Sequence, residues 1–324
     1  MTARPSDFRL NILGCGSAVP TPLHNPSSQV IERRGCLYMI DCGEGAQAMI
    51  RRMKLKFSRL RHIFISHLHG DHVFGLPGLL STLALTQTGG DVTVHMFREG
   101  IELLEPLVDF FARERTYVLR WNPIDPAGGE TLVDTGSLKV TTFRLNHRVP
   151  CVGFRFDEAP KPRHLIAEML DFHGVGVAQR AAIRAGADFV REDGTVIANA
   201  LLTRPADPSA SYAYCSDTMF DPEVAEAVRG VSLLYHEATY GDEFTREAAT
   251  RGHSTARQAA EIARMAGVGE LVIGHYSKRY TDISPLLDEA RQVFGRVIAA
   301  REGMVIDVPS GEIISQTDNN CFKP

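Results

Sequence analysis

Short apolar runs, most of them ending in glycine, aspartate or histidine, recur along the 324 residues of this chain. Phe8-Arg9-Leu10-Asn11-Ile12-Leu13 alternates apolar with polar positions, the period of a strand with one buried face. Asn25 to Ile31 reads as a turn into a second strand, and Cys36 to Cys42 as a third. Ile63-Phe64-Ile65 is short enough for a buried strand, and Gly75-Leu76-Pro77-Gly78-Leu79-Leu80 opens a buried helix. Residues 79–118 read as mainly helical around a short strand, Val92 to Met96. Further strands are predicted at Leu138–Leu145, Ser211–Asp217, Val231–Tyr240, Glu270–His275 and near Val305–Val308. Helices are predicted at Ala46–Met53, Ala178–Gly186, from Ala256 through Met265, and at about 284–294. Between Glu158 and Pro208 the pattern changes, with prolines at the start and a turn at Glu192-Asp193-Gly194. That stretch, 158–208, reads as an insertion between core strands of one domain spanning 1–324.

Composition narrows the class without naming a chemistry. At 44% hydrophobic and 23% charged the chain is an ordinary globular one. No apolar run approaches the roughly 20 residues that span a bilayer, so no membrane association is expected. Met1 to Asp7 lacks the apolar core of a signal peptide. Cys15, Cys36, Cys42, Cys151, Cys215 and Cys321 form no CxxC pair, which fits a reducing cytoplasm. The net charge of −4 argues mildly against nucleic acid as a partner, because such affinity comes largely from phosphate neutralisation. A local exception is Arg51 to Arg61, basic with apolar residues interleaved, which is either a solvated face packed inward on Met53, Leu55, Phe57 and Leu60 or a phosphate contact.

The chemistry is concentrated in Ser66-His67-Leu68-His69-Gly70-Asp71-His72. Imidazole and carboxylate suit zinc at roughly 2.0–2.2 Å. His67 and His69, two apart, project the same way from an extended segment, whereas Gly70 lets Asp71 and His72 turn toward a second point. The spacing suits two metals better than one; the bland alternative is a polar loop with chance histidines. Gly14 and Gly16 invite a dinucleotide-binding reading, but no third glycine opens a helix. Asp41, at a strand end, is expected to brace the metal loop by hydrogen bonds rather than to ligate. Asp217 ends the strand that begins at Ser211 and is the candidate to bridge two cations about 3.5–4 Å apart. His95 reads as structural, His236 as buried support, and His62, His164 and His173 carry no role.

His67-x-His69-x-Asp71-His72 behind an apolar strand resembles the signature of the metallo-β-lactamase fold. Other segments narrow the resemblance to the ribonuclease Z family. These are Asn25-x-Ser27-Ser28, Ile40-Asp41-Cys42-Gly43-Glu44-Gly45, Leu145-Asn146-His147 with Gly153-Phe154, Ser216-Asp217-Thr218, His236-Glu237-Ala238-Thr239, His253-Ser254-Thr255 and His275-Tyr276-Ser277-x-Arg279-Tyr280. One departure is His24, where the family commonly has arginine before the asparagine. The resemblance implies an α+β fold, a four-layer αββα sandwich with an inserted arm. It implies His67, His69 and His147 on one zinc, Asp71, His72 and His275 on the other, and Asp217 shared. Two Zn2+ per subunit are expected, with Mn2+ served by the same donors. It further implies that Asp71 handles the attacking water and His253 protonates the leaving 3′-oxygen, with Glu237 or another carboxylate orienting that ring. The expected activity is removal of the 3′ trailer from precursor tRNA by a cytoplasmic homodimer, whose arm grips the tRNA. In this chain the arm holds Gly174-Val175-Gly176 and Arg180, Arg184 and Arg191 in place of a lysine-rich tip. The alternatives are a phosphodiesterase or esterase of the same fold acting on small substrates, and a metal-free scaffold that binds RNA.

Overall fold

The computed structural model describes residues 6–88 and 90–317; Met1 to Pro5 of the polar N-terminal stretch, and Cys321, lie outside them. Strand alternation decides the layers. In Cys36–Cys42, Tyr38 and Ile40 join one buried cluster while Leu37 and Met39 join another. In the next strand Phe64 sides with the first pair and Ile63 with the second. A period of two sends successive side chains to opposite faces, so this sheet is buried on both. Its inner face meets a second sheet: the Phe64 ring centroid lies 5.4 Å from Phe154 and 5.6 Å from Phe156. Its outer face is covered by the helices Ala46–Arg52, Leu76–Leu85 and Arg98–Phe111.

The first sheet has eight strands in the order Ile313–Gln316, Met304–Asp307, Phe8–Gly14, Ser28–Arg33, Cys36–Cys42, Leu60–Phe64, Gly90–Met96, Tyr117–Pro123. The second has seven: Val297–Ala299, Glu270–Gly274, Leu233–Glu237, Ser211–Cys215, Val152–Glu158, Leu138–Arg144, Gly128–Asp134. Helices Glu223–Ala227, Ala256–Ala266 and Ser284–Arg291 pack with the second sheet, Ala259, Ala260 and Ala263 lying fully buried. The result is the αββα sandwich of the metallo-β-lactamase fold. From Cys36–Cys42 onward the first sheet is parallel, as is the second among Ser211–Cys215, Leu233–Glu237, Glu270–Gly274 and Val297–Ala299. Parallel strands all end at one edge, and the loops leaving that edge are where function gathers in such sheets.

Five strands of the two sheets escape the sequence reading: Val152–Glu158, Val297–Ala299 and Ile313–Gln316, and also Tyr117–Pro123, inside or beyond a region read as helical, and Gly128–Asp134. Tyr117–Pro123 and Gly128–Asp134 are each the edge of a sheet and half-exposed, so neither carries a clean apolar alternation. The inserted segment also starts one residue later than expected. Glu158 completes a core strand, and its Oε1 lies 2.6 Å from Arg33 of the other sheet, a buried ion pair that ties the two together. Residues 159–209 then leave the sheet and return to its antiparallel neighbour. They form three short helices and two two-stranded ladders around Leu170, Val175, Ile183, Phe189, Ile197 and Leu202. Among the described residues no helix is long and apolar enough to cross a membrane.

Candidate metal centre

The loop after Leu60–Phe64 is pinned before it reaches the site. Asp41 takes a left-handed backbone conformation (φ 54°) at its strand end, which Asp tolerates better than most residues. Its fully buried carboxylate accepts from the Ser66 N–H (2.8 Å), the Ser66 hydroxyl (2.9 Å), the Tyr214 hydroxyl (2.7 Å) and His72 Nδ1 (2.7 Å). A histidine held at Nδ1 by a carboxylate offers Nε2 as a metal donor. His147 is held likewise: its Nδ1–H donates to the Gly252 carbonyl at 2.6 Å. Gly252 has φ 78°, and a Cβ there would stand 2.7 Å from His147 Nδ1, so only glycine fits. His275, itself at φ 62°, is held through Nδ1 by the Thr239 hydroxyl at 2.8 Å.

Two groups of donors result. His67 Nε2 lies 3.0 Å from His69 Nδ1, His147 Nε2 lies 3.4 Å from His69 Nδ1, and Asp217 Oδ2 lies 3.6 Å from His67 and 3.8 Å from His147. On the other side His72 Nε2 lies 3.6 Å from both Asp71 Oδ2 and Asp217 Oδ1, and His275 Nε2 lies 3.6 Å and 3.2 Å from the same two oxygens. Tetrahedral ligands about 2.1 Å from zinc would stand about 3.4 Å apart, and both groups match that spacing. Asp217 is therefore the shared member, one carboxylate oxygen to each group.

The electrostatics agree with cation binding. Burial, reinforced by neighbouring imidazoles, pushes His67 well below its ordinary value; burial likewise leads in lowering His69 and His147. Neutral imidazoles are what a metal requires. Burial alone would lower His72, but Asp41, Asp217 and Asp71 outweigh it and raise it to about 10. Three carboxylates around one ring are an excess of negative charge. His72 Nε2, Asp217 Oδ1 and His275 Nε2 are moreover buried without any hydrogen-bond partner, and unpaired buried polar atoms are rare unless a ligand completes them. The residues present fit two cations.

His253 borders both donor trios, its ring 5.3 Å from His147 and 5.5 Å from His275, and with Asp217 and His275 it makes a further group of metal-type donors. Its Nδ1 lies 3.0 Å from Glu237 Oε1 and 3.8 Å from Asp217 Oδ2. Burial opposes its charge, but Glu237 and then Asp217 outweigh it, raising the ring to about 9. Glu237 is fully buried and also accepts from the backbone of Thr218, Thr239 and Ser254. The structure thus brings together every residue the sequence singled out here.

His95, read as structural, pairs with His62 at 3.0 Å away from both trios, and His236, read as buried support, bonds the Glu237 carbonyl at 2.7 Å. Arg51 stacks over Phe57 and Arg59 pairs with Glu32 at 2.8 Å, and neither lines the cleft above the centre. That cleft, about 670 Å³, has Arg148, Arg251, Lys278 and Arg279 on its walls. Arg279 is fixed over the Phe244 ring at 3.9 Å. Sequence reasoning missed this basic wall, because its members come from three segments far apart in the chain, Arg251 from the end of the helix Thr245–Arg251 and the others from loops. It also missed the Thr239 hydroxyl, the Gly252 carbonyl and the Ala18 N–H, which donates to Asp71 Oδ2 at 2.7 Å. Only Thr239 left a signal, in the segment beside Glu237.

Comparisons with known proteins place this centre. A family model described as Anti-Pycsar protein Apyc1 matches residues 8–99, less than a third of the chain. A ribonuclease Z of Parabacteroides distasonis is 51% identical over 303 residues, 94% of this chain and 100% of that protein. One from Bacteroides thetaiotaomicron is 49% identical over 317 residues, 98% of this chain and 99% of its own length. Among solved structures, the short form of human tRNase Z superposes with a TM-score of 0.66 at 26% identity, covering 93% of this chain and 99% of that one. The Bacillus subtilis metallo-β-lactamase-fold protein YhfI has the same TM-score at 18% identity, covering 92% and 98%, which shows the fold. Near-complete coverage at about half identity, over a sandwich whose parallel strand ends gather His and Asp donors, leaves one assignment: the chain belongs to the ribonuclease Z family of metal-dependent endoribonucleases.

Proposed function

We propose that this protein cuts the 3′ trailer from precursor tRNA, leaving a 3′-hydroxyl on the tRNA. The observation that carries the chemistry is Asp217, whose two oxygens face different donor trios. His67, His69 and His147 would hold one cation, Asp71, His72 and His275 the other, with Asp217 common to both; zinc suits the donor set, and manganese is the other candidate. Bound there, such cations supply a hydroxide nucleophile at neutral pH and offset charge on the non-bridging phosphoryl oxygens. Asp71, steadied by the Ala18 N–H, accepts the proton of the attacking water. The new O–P bond forms as the bond from phosphorus to the 3′-oxygen breaks. His253, kept charged by Glu237, delivers its proton to that oxygen. Arg148, Arg251, Lys278 and Arg279 line the approach and suit the backbone phosphates on either side of the cut.

The likeness to ribonuclease Z supports a cytoplasmic homodimer in which residues 159–209, carrying Arg180, Arg184 and Arg191, form an arm that reaches the tRNA body. The test sets a precursor tRNA with a 3′ trailer beside bis(p-nitrophenyl) phosphate. Cleavage directly after the discriminator base is expected. Hydrolysis of the small diester with an intact trailer at low salt would point instead to a small-substrate phosphodiesterase. His253→Ala should slow turnover by about 10²–10⁴-fold, the scale of a lost general acid, without loss of bound metal.

A further inference from the structure

A second set of metal-type donors sits at the base of the loop between the first two strands. Cys15 Sγ lies 3.5 Å from His24 Nδ1 and 3.5 Å from Glu302 Oε1, while His24 Nδ1 lies 3.3 Å from Glu302 Oε1 and 3.1 Å from Oε2. Ligands at ordinary zinc–sulfur, zinc–nitrogen and zinc–oxygen lengths in a tetrahedral arrangement would be separated by about 3.6 Å for pairs involving sulfur and about 3.4 Å for nitrogen and oxygen. The triangle therefore has the size of one face of a metal tetrahedron. Cys15 is fully buried and Glu302 is 3% exposed. Besides His24, Glu302 Oε1 accepts from the backbone N–H of Cys15 at 3.3 Å and of Asn25 at 3.0 Å. A buried carboxylate is held by such donors, by a counter-charge or by a metal. A cleft of about 400 Å³, lined by Thr21, Leu23, Asn25 and Arg52, opens onto His24 and Glu302 and leaves room for a solvent molecule as fourth ligand.

We propose that Cys15, His24 and Glu302 form a third divalent-cation site, thiolate–imidazole–carboxylate, that braces the wall of the catalytic cleft. On binding, the cation takes the place of the thiol proton, with His24 ligating through Nδ1 as its Nε2–H tautomer and Glu302 through its carboxylate. The bracing runs through the backbone: the Cys15 carbonyl accepts from Tyr276 N–H at 2.9 Å, Ser17 N–H donates to the Tyr276 carbonyl at 3.1 Å, and Ala18 N–H holds Asp71. Tyr276 directly follows His275, so the site steadies one residue from each side of the second donor trio. A nucleophilic role for Cys15 is excluded by its surroundings, since burial and then the Glu302 carboxylate keep the proton on sulfur in the absence of a cation.

Sulfur makes the site separable from the main centre, whose donors are all nitrogen and oxygen. Chelator-stripped full-length protein is titrated with Co2+ alone. The expected result is a sulfur-to-cobalt charge-transfer band in the near ultraviolet, alongside the visible bands of the nitrogen–oxygen centre. Cys15→Ser should abolish the charge-transfer band and keep the visible ones. Glu302→Gln and His24→Ala should each raise the Co2+ concentration needed to form it by about tenfold or more. Cys36→Ser and Cys321→Ser should leave it unchanged. Visible bands without any charge-transfer band, or a band that survives Cys15→Ser, overturns the third site while sparing the nuclease centre. Loss of every cobalt band in the wild type overturns both. Should Cys15→Ser fail to fold by circular dichroism, the His24→Ala titration decides, and an unshifted band there refutes the site.

Discussion

At the scale of single residues, Asp217 is the position on which the proposed centre depends most. It is almost fully buried, yet its carboxyl lies well below the usual carboxylate range; burial would raise it, but His275, His72, His253 and His67 all face it and outweigh that penalty. Asp217→Ala removes the shared donor and should cut turnover on both substrates by at least about 10²-fold, the scale of losing one preorganised charge, with bound metal falling as well. Retained turnover at normal metal content would contradict the two-cation arrangement. Asp41→Asn is subtler. The carboxylate touches no reacting group but fixes His72 through Nδ1, so its amide analogue should weaken metal affinity by about 10–100-fold in a competition titration. An unchanged affinity would mean that packing alone orients His72.

Among the elements, the helix Ala256–Ala266 has the clearest local design. Thr255 caps it in a full capping box with Gln258, and Ala256, Ala259, Ala260 and Ala263 are fully buried against the second sheet. Because the cap is two residues after His253, the helix start also sets where that ring stands. Thr255→Ala should cost about 0.5–2 kcal/mol of stability in denaturant unfolding. Ala260→Leu, which puts extra volume into a closed contact, should cost about 1–3 kcal/mol. If both variants unfold at the wild-type midpoint, the helix is not coupled to the core as its burial indicates. The inserted segment 159–209 has its own small apolar cluster, and its six arginines and lysines are balanced by six acidic residues. Its contribution to RNA affinity should therefore depend weakly on salt, compared with that of the basic wall of the cleft.

For the whole molecule, the core between the sheets carries a pH dependence of defined sign. His62 is pushed down to about 4, chiefly by burial and secondly by Arg61, and His95 to about 3, by burial and then by His62. Their unfolded values lie near 6.5, so between there and the folded values the unfolded chain binds more protons than the folded one. Stability should thus fall as pH drops below about 6.5, and these two rings contribute until pH nears 3 to 4. In the double variant His62→Phe, His95→Phe the acid side of the stability profile should be shallower than in the wild type. A profile of identical slope would show that neither ring is held neutral in the core. The inter-sheet ties, Arg33 to Glu158 and Tyr214 to Asp41, belong to this scale too, since each joins one sheet to the other.

Much of this molecule was written locally. Short apolar runs marked strands beginning at Cys36, at Ile63–Ile65 and at Glu270, and put Asp41, His67 and His275 at or just beyond their ends. Such a run is a property of a few consecutive residues, so no partner is needed to see it. The edge strands Tyr117–Pro123 and Gly128–Asp134 escaped, because a half-exposed edge need not alternate. What only the tertiary structure decided is convergence: which oxygen of Asp217 meets which imidazoles, that Gly252 and Thr239 hold His147 and His275 from behind, and that Glu302 reaches back to Cys15 across 287 positions. Those contacts depend on sheet register and on a few left-handed backbone angles, and neither is encoded in the residues that make the contact.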